Sequence, residues 1–257
     1  MTEPLLQVDA LSMRFGGLVA LQEVSFAAAE GAITAVIGPN GAGKTTLFNC
    51  ITGMYRPSHG RVSFAGQDLT GALPHRVARA GISRTFQNLA LFSGLSVFDN
   101  LQVGHYRHGR SGLLAGAFRT PRARREEATA ARAAQDMVAF LGLEDVAQAR
   151  PAELPYGRQK QVEFARALMQ GARLVLLDEP MAGLSGGEKD RMVALIRDVR
   201  VRLGVSFLLV EHDMPVIMDV SDHIVVLDFG RKIAEGTPAE MQRNDAVIAA
   251  YLGATDA

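Results

Sequence analysis

The stretch GPNGAGKTT, at residues 38–46, has the residue types and spacing most suited to chemistry. A glycine, four residues, a second glycine, Lys44 and Thr45 form the phosphate-loop pattern. Glycines let several backbone N–H groups turn toward one anion, the Lys44 ammonium adds a point charge, and the Thr45 hydroxyl can ligate Mg²⁺. The alternative is a glycine-rich turn that happens to carry a lysine. The residues expected to bind the nucleotide here are Gly38, Pro39, Asn40, Gly41, Ala42, Gly43, Lys44, Thr45 and Thr46.

The segments on either side of this stretch are predicted to be a strand and a helix. Residues 32–37 are apolar and β-branched, as in a buried strand, and residues 46–51 have apolar spacing compatible with a helix. A helix beginning there would aim the positive end of its dipole at bound phosphates. These flanking elements favour phosphate binding over a plain turn, because the phosphate-loop pattern requires a strand before it and a helix after it.

Two acidic residues end a second apolar segment, LVLLDE at residues 174–179. A buried strand of an open α/β sheet delivers side chains at its carboxyl end into the ligand crevice. There, Asp178 could hold Mg²⁺ directly or through water, and Glu179 could polarise an attacking water as a general base. Such an apolar run ending in two acids is common alone. Together with the phosphate loop it predicts nucleotide hydrolysis, which needs both parts.

Length and composition indicate an ordinary globular chain. The 257 residues suffice for one large α/β domain, alone or with a small subdomain, and 48% of them are hydrophobic and 21% charged. The formal net charge of +0 favours neither nucleic acid nor an anionic membrane as a partner. The single cysteine, Cys50, forms no internal disulfide. We expect no signal peptide and no membrane span, so any work at a membrane would require a partner.

Alternating strand and helix patterns predict one α/β domain over residues 1–257, with a largely parallel sheet covered by helices. Its core would comprise residues 1–94 and 151–257, and residues from about 95 to 150, which are rich in Ala and Arg, would form an inserted helical subdomain. Residues 5–11 alternate loosely and predict an edge strand. Residues 223–228 and 232–235 predict a final hairpin.

The inserted segment is expected to contain a helix that begins at Thr120, with Pro121 in its first position, and ends near Gly142. Helical spacing predicts that its apolar face carries Ala131, Ala134, Val138 and Leu141. A basic cluster is interpreted as a solvated face, with contact to lipid headgroups or a partner as the minority alternative. The cluster comprises Arg119, Arg122, Arg124 and Arg125.

Five motifs occur in an order that resembles the ATP-binding cassette of a membrane transporter. They are GPNGAGKTT at 38–46, RTFQ at 84–87, LPYGRQ at 154–159, LDEP at 177–180 and EHD at 211–213. The longer segments RTFQN, LPYGRQKQVEFARAL, EHDM and the ending VIAAYLG, with the Arg-rich stretch near residue 120, resemble the branched-chain amino-acid importer type. The resemblance covers nearly the whole chain. It implies the P-loop ABC ATPase fold: a largely parallel sheet core, an antiparallel β-subdomain and an inserted α-helical subdomain.

Three single residues take roles from this resemblance. Gln87 would ligate Mg²⁺ and sense the γ-phosphate, and Phe15 would stack on adenine. His212, which follows the last predicted parallel strand, would contact the γ-phosphate. Taken alone, Gln87 could be a surface residue in a turn, His212 a capping or core histidine, and Phe15 a plain core residue. The implied catalytic residues are Lys44, Gln87, Glu179 and His212, and the implied Mg²⁺ ligands are Thr45, Gln87 and Asp178.

The resemblance also implies a signature motif that opens a helix and binds the γ-phosphate of ATP held by a second subunit. Residues 184–188, LSGGE, match the family's L-S-G-G-Q-like pattern better. They follow Asp178 and Glu179 directly, however, where the family has the subunit-contact loop. Ser185 and Glu188 also have a plain structural explanation as a capping box. We expect the signature at residues 154–159 instead, where Pro155 replaces the usual serine. Its residues are Leu154, Pro155, Tyr156, Gly157, Arg158 and Gln159.

These expectations combine into an ATP-hydrolysing, Mg²⁺-dependent subunit of an importer at the cytoplasmic face of the membrane. The implied partners are a second cassette ATPase, identical or paralogous, two integral membrane permease subunits and, indirectly, a substrate-binding protein, but no nucleic acid. The transported substrate is left open among branched-chain amino acids, other amino acids and related small polar solutes. One alternative is a non-transport cassette ATPase acting on ribosomes or DNA. Another is a GTPase or kinase, although the chain has no N/T-K-x-D motif for guanine.

Overall fold

The computed structural model describes residues 3–85, 89–105 and 120–252. Strands β1 to β10 span Leu6–Phe15, Leu18–Ala28, Ile33–Ile37, His59–Phe64, Gln67–Asp68, Ile82–Arg84, Leu174–Asp178, Ser206–Val210, His223–Asp228 and Arg231–Gly236. Helices α1 to α9 span Lys44–Ile51, Pro74–Ala80, Val97–His105, Pro121–Leu141, Tyr156–Leu168, Gly186–Leu203, Met214–Val220, Pro238–Met241 and Asp245–Leu252. Short 3₁₀ turns lie at Glu144–Val146 and Pro151–Glu153.

The larger sheet has six strands in the order β10-β9-β3-β8-β7-β6. Strands β9, β3, β8, β7 and β6 are parallel, and β10 is antiparallel to β9. This confirms the predicted largely parallel core and the final hairpin. Because β9 also pairs in parallel with β3, it is a later parallel strand than β8, so the expectation that His212 follows the last parallel strand is wrong. Strands β3, β7 and β8 are buried along their whole length, as expected for central parallel strands.

The smaller sheet is antiparallel, with the order β2-β1-β4-β5. Strand β1 pairs with β2 on one side and β4 on the other, so the prediction of an edge strand at residues 5–11 is wrong. The loose alternation has a local cause, since the register of β1 shifts between Val8 and Leu11, and Ala10 has a positive φ of 45°. Bulges of this kind break the two-residue period of a strand without removing it from the sheet.

Helices α3, α4 and α5 follow one another between β6 and β7, and α3 packs against both others. The Thr120 hydroxyl accepts a hydrogen bond from the Ala123 N–H at the start of α4, and Gly142, with φ 63°, ends it, as predicted. The buried face of α4 carries Ala130 in place of the predicted Ala131. Since α5 joins this layer, the helical region continues beyond residue 150. The division of the chain at residues 94 and 150 stays a prediction.

The basic cluster of α4 lies on the surface. Arg122, Arg124 and Arg125 are exposed, and the Arg122 guanidinium pairs with Glu126 one turn later at 3.2 Å. Arg119 lies outside the described residues. The exposed side chains agree with a solvated face. Across the described segments, no helix combines the length and apolar character needed to cross a membrane.

The apolar core lies on both faces of the six-stranded sheet. Phe207, in the central strand β8, is fully buried and stacks on Phe164 of α5 with ring centroids 6.0 Å apart. This contact joins the sheet to the helical layer.

We predict that Phe207→Ala lowers the free energy of unfolding by about 3–5 kcal/mol, because it removes a large buried side chain and leaves a cavity. Urea unfolding followed by circular dichroism measures it.

Val201→Ala is the matched control. Val201 lies on α6 and is 81% exposed. Its truncation should change the free energy of unfolding by less than about 0.5 kcal/mol. Equal losses for the two variants would contradict the assignment of Phe207 to the core.

Candidate functional site

The phosphate loop joins the end of β3 to the start of α1, as predicted. Gly38 and Gly43 have φ values of 151° and 100°. A Cβ on Gly38 would lie 2.1 Å from the Leu227 carbonyl oxygen, and one on Gly43 would lie 2.7 Å from the Ala20 carbonyl oxygen. Both positions therefore require glycine, because a side chain would collide with fixed backbone of neighbouring strands.

Lys44, the first residue of α1, is buried inside the loop. Its Nζ donates hydrogen bonds to the carbonyl oxygens of Gly38 at 2.7 Å and Pro39 at 2.9 Å. Burial lowers the pKa of the Lys44 ammonium, and the nearby carboxylates of Glu179 and Asp178 oppose that decrease. The loop lysine and the two predicted acids thus belong to one electrostatic site.

Asp178 is the last residue of β7 and is 3% exposed. Its Oδ2 accepts a hydrogen bond of 2.6 Å from Nη2 of Arg84, and Nη1 of Arg84 donates at 2.6 Å to Oδ1 of Asn49 on α1. The guanidinium therefore connects the predicted Mg²⁺ ligand to the helix that follows the phosphate loop. Sequence reasoning missed both partners. Arg84 was considered only as the first residue of the RTFQ motif. Its contact with Asp178 forms only in the folded chain, because the two residues are 94 positions apart.

Glu179 and His212 are brought together by the pairing of β7 with β8, in which Asp178 lies opposite Val210. Glu179 Oε1 lies 3.0 Å from His212 Nε2, and the Glu179 N–H donates to the Val210 carbonyl oxygen at 2.9 Å. Glu179 has a positive φ of 49°, which is uncommon for a residue with a side chain. The site thus contains a carboxylate and an imidazole in hydrogen-bond contact beside a loop lysine, a combination suited to activating water.

The donor set suits Mg²⁺ bound together with a polyphosphate. Mg²⁺ takes oxygen ligands and is commonly held by one or two protein groups plus substrate phosphates and water. Thr45 is exposed at the start of α1, and Asp178 is the buried carboxylate nearby. In the part of the chain that the structure describes, no three His, Cys, Asp or Glu side chains form a metal cluster. Gln87 lies outside the described residues, so its predicted role stays a prediction.

The expected signature segment opens α5, but its side chains bond within the helical layer. Pro155 is the N-cap residue and contributes no side-chain hydrogen bond. Both Nη atoms of Arg158 donate hydrogen bonds, Nη2 to the Asp145 carboxylate at 2.8 and 3.0 Å and Nη1 to the Gly142 carbonyl oxygen at 2.9 Å. Phosphate binding at this segment would therefore use the backbone N–H groups that open the helix.

The competing segment, residues 184–188, forms the structural cap that was its alternative explanation. The Glu188 carboxylate accepts hydrogen bonds from the Ser185 N–H at 2.9 Å and hydroxyl at 2.6 Å, at the start of α6. A Cβ on Gly157 would lie 2.4 Å from Glu188 Oε1, so this cap packs directly on the start of α5. The glycine at position 157 is what permits that contact.

Phe15 ends β1 and is 42% exposed, so the plain-core alternative is wrong. Its ring meets that of Tyr55 edge to face, with centroids 5.2 Å apart. The next strand, β2, contacts the phosphate loop where Ala20 meets Gly43. An exposed aromatic near the loop is compatible with stacking on a base, which stays a prediction.

The ion pair between Arg84 and Asp178 generates a stability prediction. We expect Arg84→Met to lower the free energy of unfolding by about 3–5 kcal/mol, because it leaves a buried carboxylate without its counter-ion. The double variant Arg84→Met/Asp178→Asn should be less destabilised than Arg84→Met, since no uncompensated charge remains. Urea unfolding measures both.

An exposed ion pair supplies the control. Arg197 pairs with Asp219 at 2.7 Å, with side chains 47% and 57% exposed. Arg197→Met should cost at most about 1 kcal/mol, as is typical of surface pairs. A double variant as unstable as Arg84→Met would show that the buried charge is not the cause of the loss.

Comparison with known proteins gives the same family along almost the entire chain. The family model described as "ABC transporter" matches residues 21–182, and the model "Branched-chain amino acid ATP-binding cassette transporter" matches residues 231–257. The chain is 44% identical to the high-affinity branched-chain amino acid transport ATP-binding protein BraF of Pseudomonas aeruginosa, and 40% identical to LivG of Escherichia coli. Each alignment covers 98% of this chain and 99% of the relative.

A solved structure supports the same conclusion. The crystal structure of an ATP-binding cassette of an ABC transporter in its ADP conformation matches with a TM-score of 0.85 and 31% identity. The match covers 98% of this chain and all of the other. The chain therefore belongs to the ABC transporter family, as one of its ATP-hydrolysing ATP-binding cassettes.

Proposed function

We propose that this chain is the ATP-hydrolysing subunit of an importer for branched-chain amino acids, or for other amino acids or related small polar solutes. The observation that carries the proposal is the meeting of Lys44, Asp178, Glu179 and His212 at the carboxyl ends of β3, β7 and β8. The names of BraF and LivG support branched-chain amino acids as the substrate class. A non-transport ATPase acting on ribosomes or DNA gains no support from these relatives.

The side chains of this site have separate tasks in the proposed hydrolysis. Glu179 takes a proton from the attacking water, and His212, 3.0 Å from that carboxylate, orients the water and contacts the γ-phosphate. Lys44 and the N–H groups at the start of α1 bind the phosphates. Thr45 and Asp178, with Gln87, would hold Mg²⁺, which would supply positive charge to stabilise the bound phosphates. Phe15 stacks on the adenine.

A second cassette, identical or paralogous, completes each site in the proposal. Residues 154–159 of that subunit face the γ-phosphate with the N–H groups that open α5, because Pro155 supplies no hydroxyl. ATP then lies between two chains. Binding closes the pair and hydrolysis reopens it, a two-state equilibrium shifted by the nucleotide.

The proposed assembly includes two membrane permease subunits and, through them, a substrate-binding protein. The helical layer of α3, α4 and α5 would press on the permeases from the cytoplasmic face of the membrane. Phe164 of α5 stacks on Phe207 of the core, so this layer is mechanically continuous with the strand that leads to His212. The movement of the two cassettes on closure would be transmitted to the permeases through this contact between the core and the helical layer.

Glu179→Gln tests the hydrolytic step. We expect the variant to bind ATP but to hydrolyse it about 10²–10⁴-fold more slowly than wild type, because the amide cannot accept the proton. Phosphate release in the presence of MgATP measures the rate, and EDTA should abolish it. Size exclusion with light scattering on the variant with ATP should detect the trapped pair, and uptake of labelled leucine by cells carrying the variant should fall with the hydrolysis.

Glu144→Gln is the control, since Glu144 is exposed in the 3₁₀ turn after α4 and should leave the rate unchanged. Wild-type hydrolysis by Glu179→Gln would refute the assigned base. A variant that binds ATP but stays monomeric would assign the second site to a paralogous partner. Uptake of leucine that is independent of Glu179 would refute branched-chain amino acids as the substrate and leave the other amino acids and small polar solutes.

A further inference from the structure

Glu211 is a buried acid that the proposed hydrolysis does not use. It directly follows β8, precedes His212, and is 4% exposed. Burial raises the pKa of its carboxyl, and hydrogen bonds from the backbone N–H groups of Met181, His212 and Asp213 oppose that rise. An acid in such a place costs stability, so its presence points to a task.

The hydrogen bonds of Glu211 connect two catalytic loops. Oε1 accepts a bond of 2.6 Å from the N–H of Met181, in the loop after β7, and Oε2 accepts one of 3.0 Å from the N–H of His212. One carboxylate thus holds the loop that follows Glu179 and the backbone of the histidine that Glu179 contacts. Bonds between backbone and an ionised acceptor are shorter and stronger than neutral ones.

The backbone at Glu179 needs such support. Its φ of 49° lies in the left-handed region, which a residue with a side chain keeps only where the surroundings hold it. The Glu179 N–H is bonded to Val210, and the Met181 N–H is bonded to Glu211. Residues 179–181 are therefore attached at both ends to the segment 210–211 of the neighbouring strand.

The far side of the histidine loop has contacts besides the bond from the Asp213 N–H to Glu211. Asp213 caps α7 through the Val216 N–H at 3.3 Å and pairs with Lys189 of α6 at 2.5 Å. These contacts do not involve the loop after β7. Loss of the Glu211 carboxylate would remove its bond from the Asp213 N–H, but the cap and the ion pair of Asp213 would still hold the start of α7. The main loss would be the connection between Glu179 and His212.

We propose that Glu211 is a positioning residue that ties the loop after β7 to the histidine loop and thereby keeps Glu179 Oε1 in contact with His212 Nε2. A carboxylate suits this task because it only accepts hydrogen bonds, whereas a glutamine amide would turn a donor toward one of the N–H groups. This inference rests on the proposed role of Glu179 as the base.

Glu211→Gln, in the full chain, is the first test. We expect kcat for MgATP to fall about 10- to 100-fold with KM for ATP within about twofold of wild type, because the reacting groups are misaligned while the phosphate loop is intact. The melting temperature should stay within about 3 °C of wild type, since the amide removes a buried charge as well as a hydrogen bond. Glu211→Asp, whose side chain is one methylene shorter, should have a kcat between those of wild type and Glu211→Gln.

A double variant separates positioning from general damage. If Glu211 acts through Glu179, adding Glu211→Gln to Glu179→Gln should lower kcat by less than about threefold further, because residues that act as a unit are not additive. Glu240→Gln is the matched control: this exposed carboxylate also accepts a backbone N–H, that of Thr237 at 2.7 Å, in α8. Its kcat should equal that of wild type.

Several results would overturn the inference. A kcat of Glu211→Gln equal to that of wild type would do so alone. So would a double variant whose kcat falls by the full product of the two single-variant losses. A fall in melting temperature that parallels the fall in kcat, or unfolding of both Glu211 variants, would assign Glu211 to stability. If Glu179→Gln forms the ATP-bound pair and the wild-type chain still does not hydrolyse ATP, the proposed function falls together with this inference. Wild-type kcat in Glu211→Gln overturns this inference alone, so the two failures are distinguishable.

Discussion

The parallel pairing of β3, β8 and β7 is the constraint on which the rest of the structure depends. The three strands are buried along their whole length and end at one edge of the sheet. Segments far apart in the chain therefore deliver a phosphate loop, two acids and a histidine to one place. A shift of β7 by one residue against β8 would move Glu179 away from His212 and turn each side chain of the strand to the opposite face.

Burying charge at that edge is costly, and each charge is compensated in a different way. Lys44 donates to two loop carbonyl oxygens, Asp178 pairs with the Arg84 guanidinium, and Glu211 accepts from backbone N–H groups. These arrangements keep the charged groups in low-dielectric surroundings, where electrostatic interactions with a bound polyphosphate are strong. They also connect α1, β6 and the loops after β7 and β8 to one another.

The helical layer is joined to this edge at two points. Phe164 stacks on Phe207 in the core, and the cap formed by Ser185 and Glu188 packs on Gly157 at the start of α5. The second contact places the start of α5 beside the loop after Glu179. In the proposed pair this helix start faces the second subunit, and its direct packing on the loop after Glu179 would then connect the two sites.

Local chemistry in the sequence determined the phosphate loop, the strand and helix around it, the acids that end β7, and the cap and end of α4. Each depends on residues close together in the chain: glycines where φ is positive, Thr120 before Pro121, and an apolar run before Asp178. The order of the motifs along the chain also identified the family, and the resemblance covers nearly the whole chain.

Only the tertiary structure decided the interior place of β1, the parallel pairing of β9, the exposure of Phe15, and the partners of Asp178 and Glu179. Bulges disguised β1, and pairing partners of strands lie far away in the chain. Arg84 and Asp178 are 94 residues apart, and Met181 and Glu211 are 30 apart. Contacts at such separations depend on strand order, and a single sequence carries no local signal for that order.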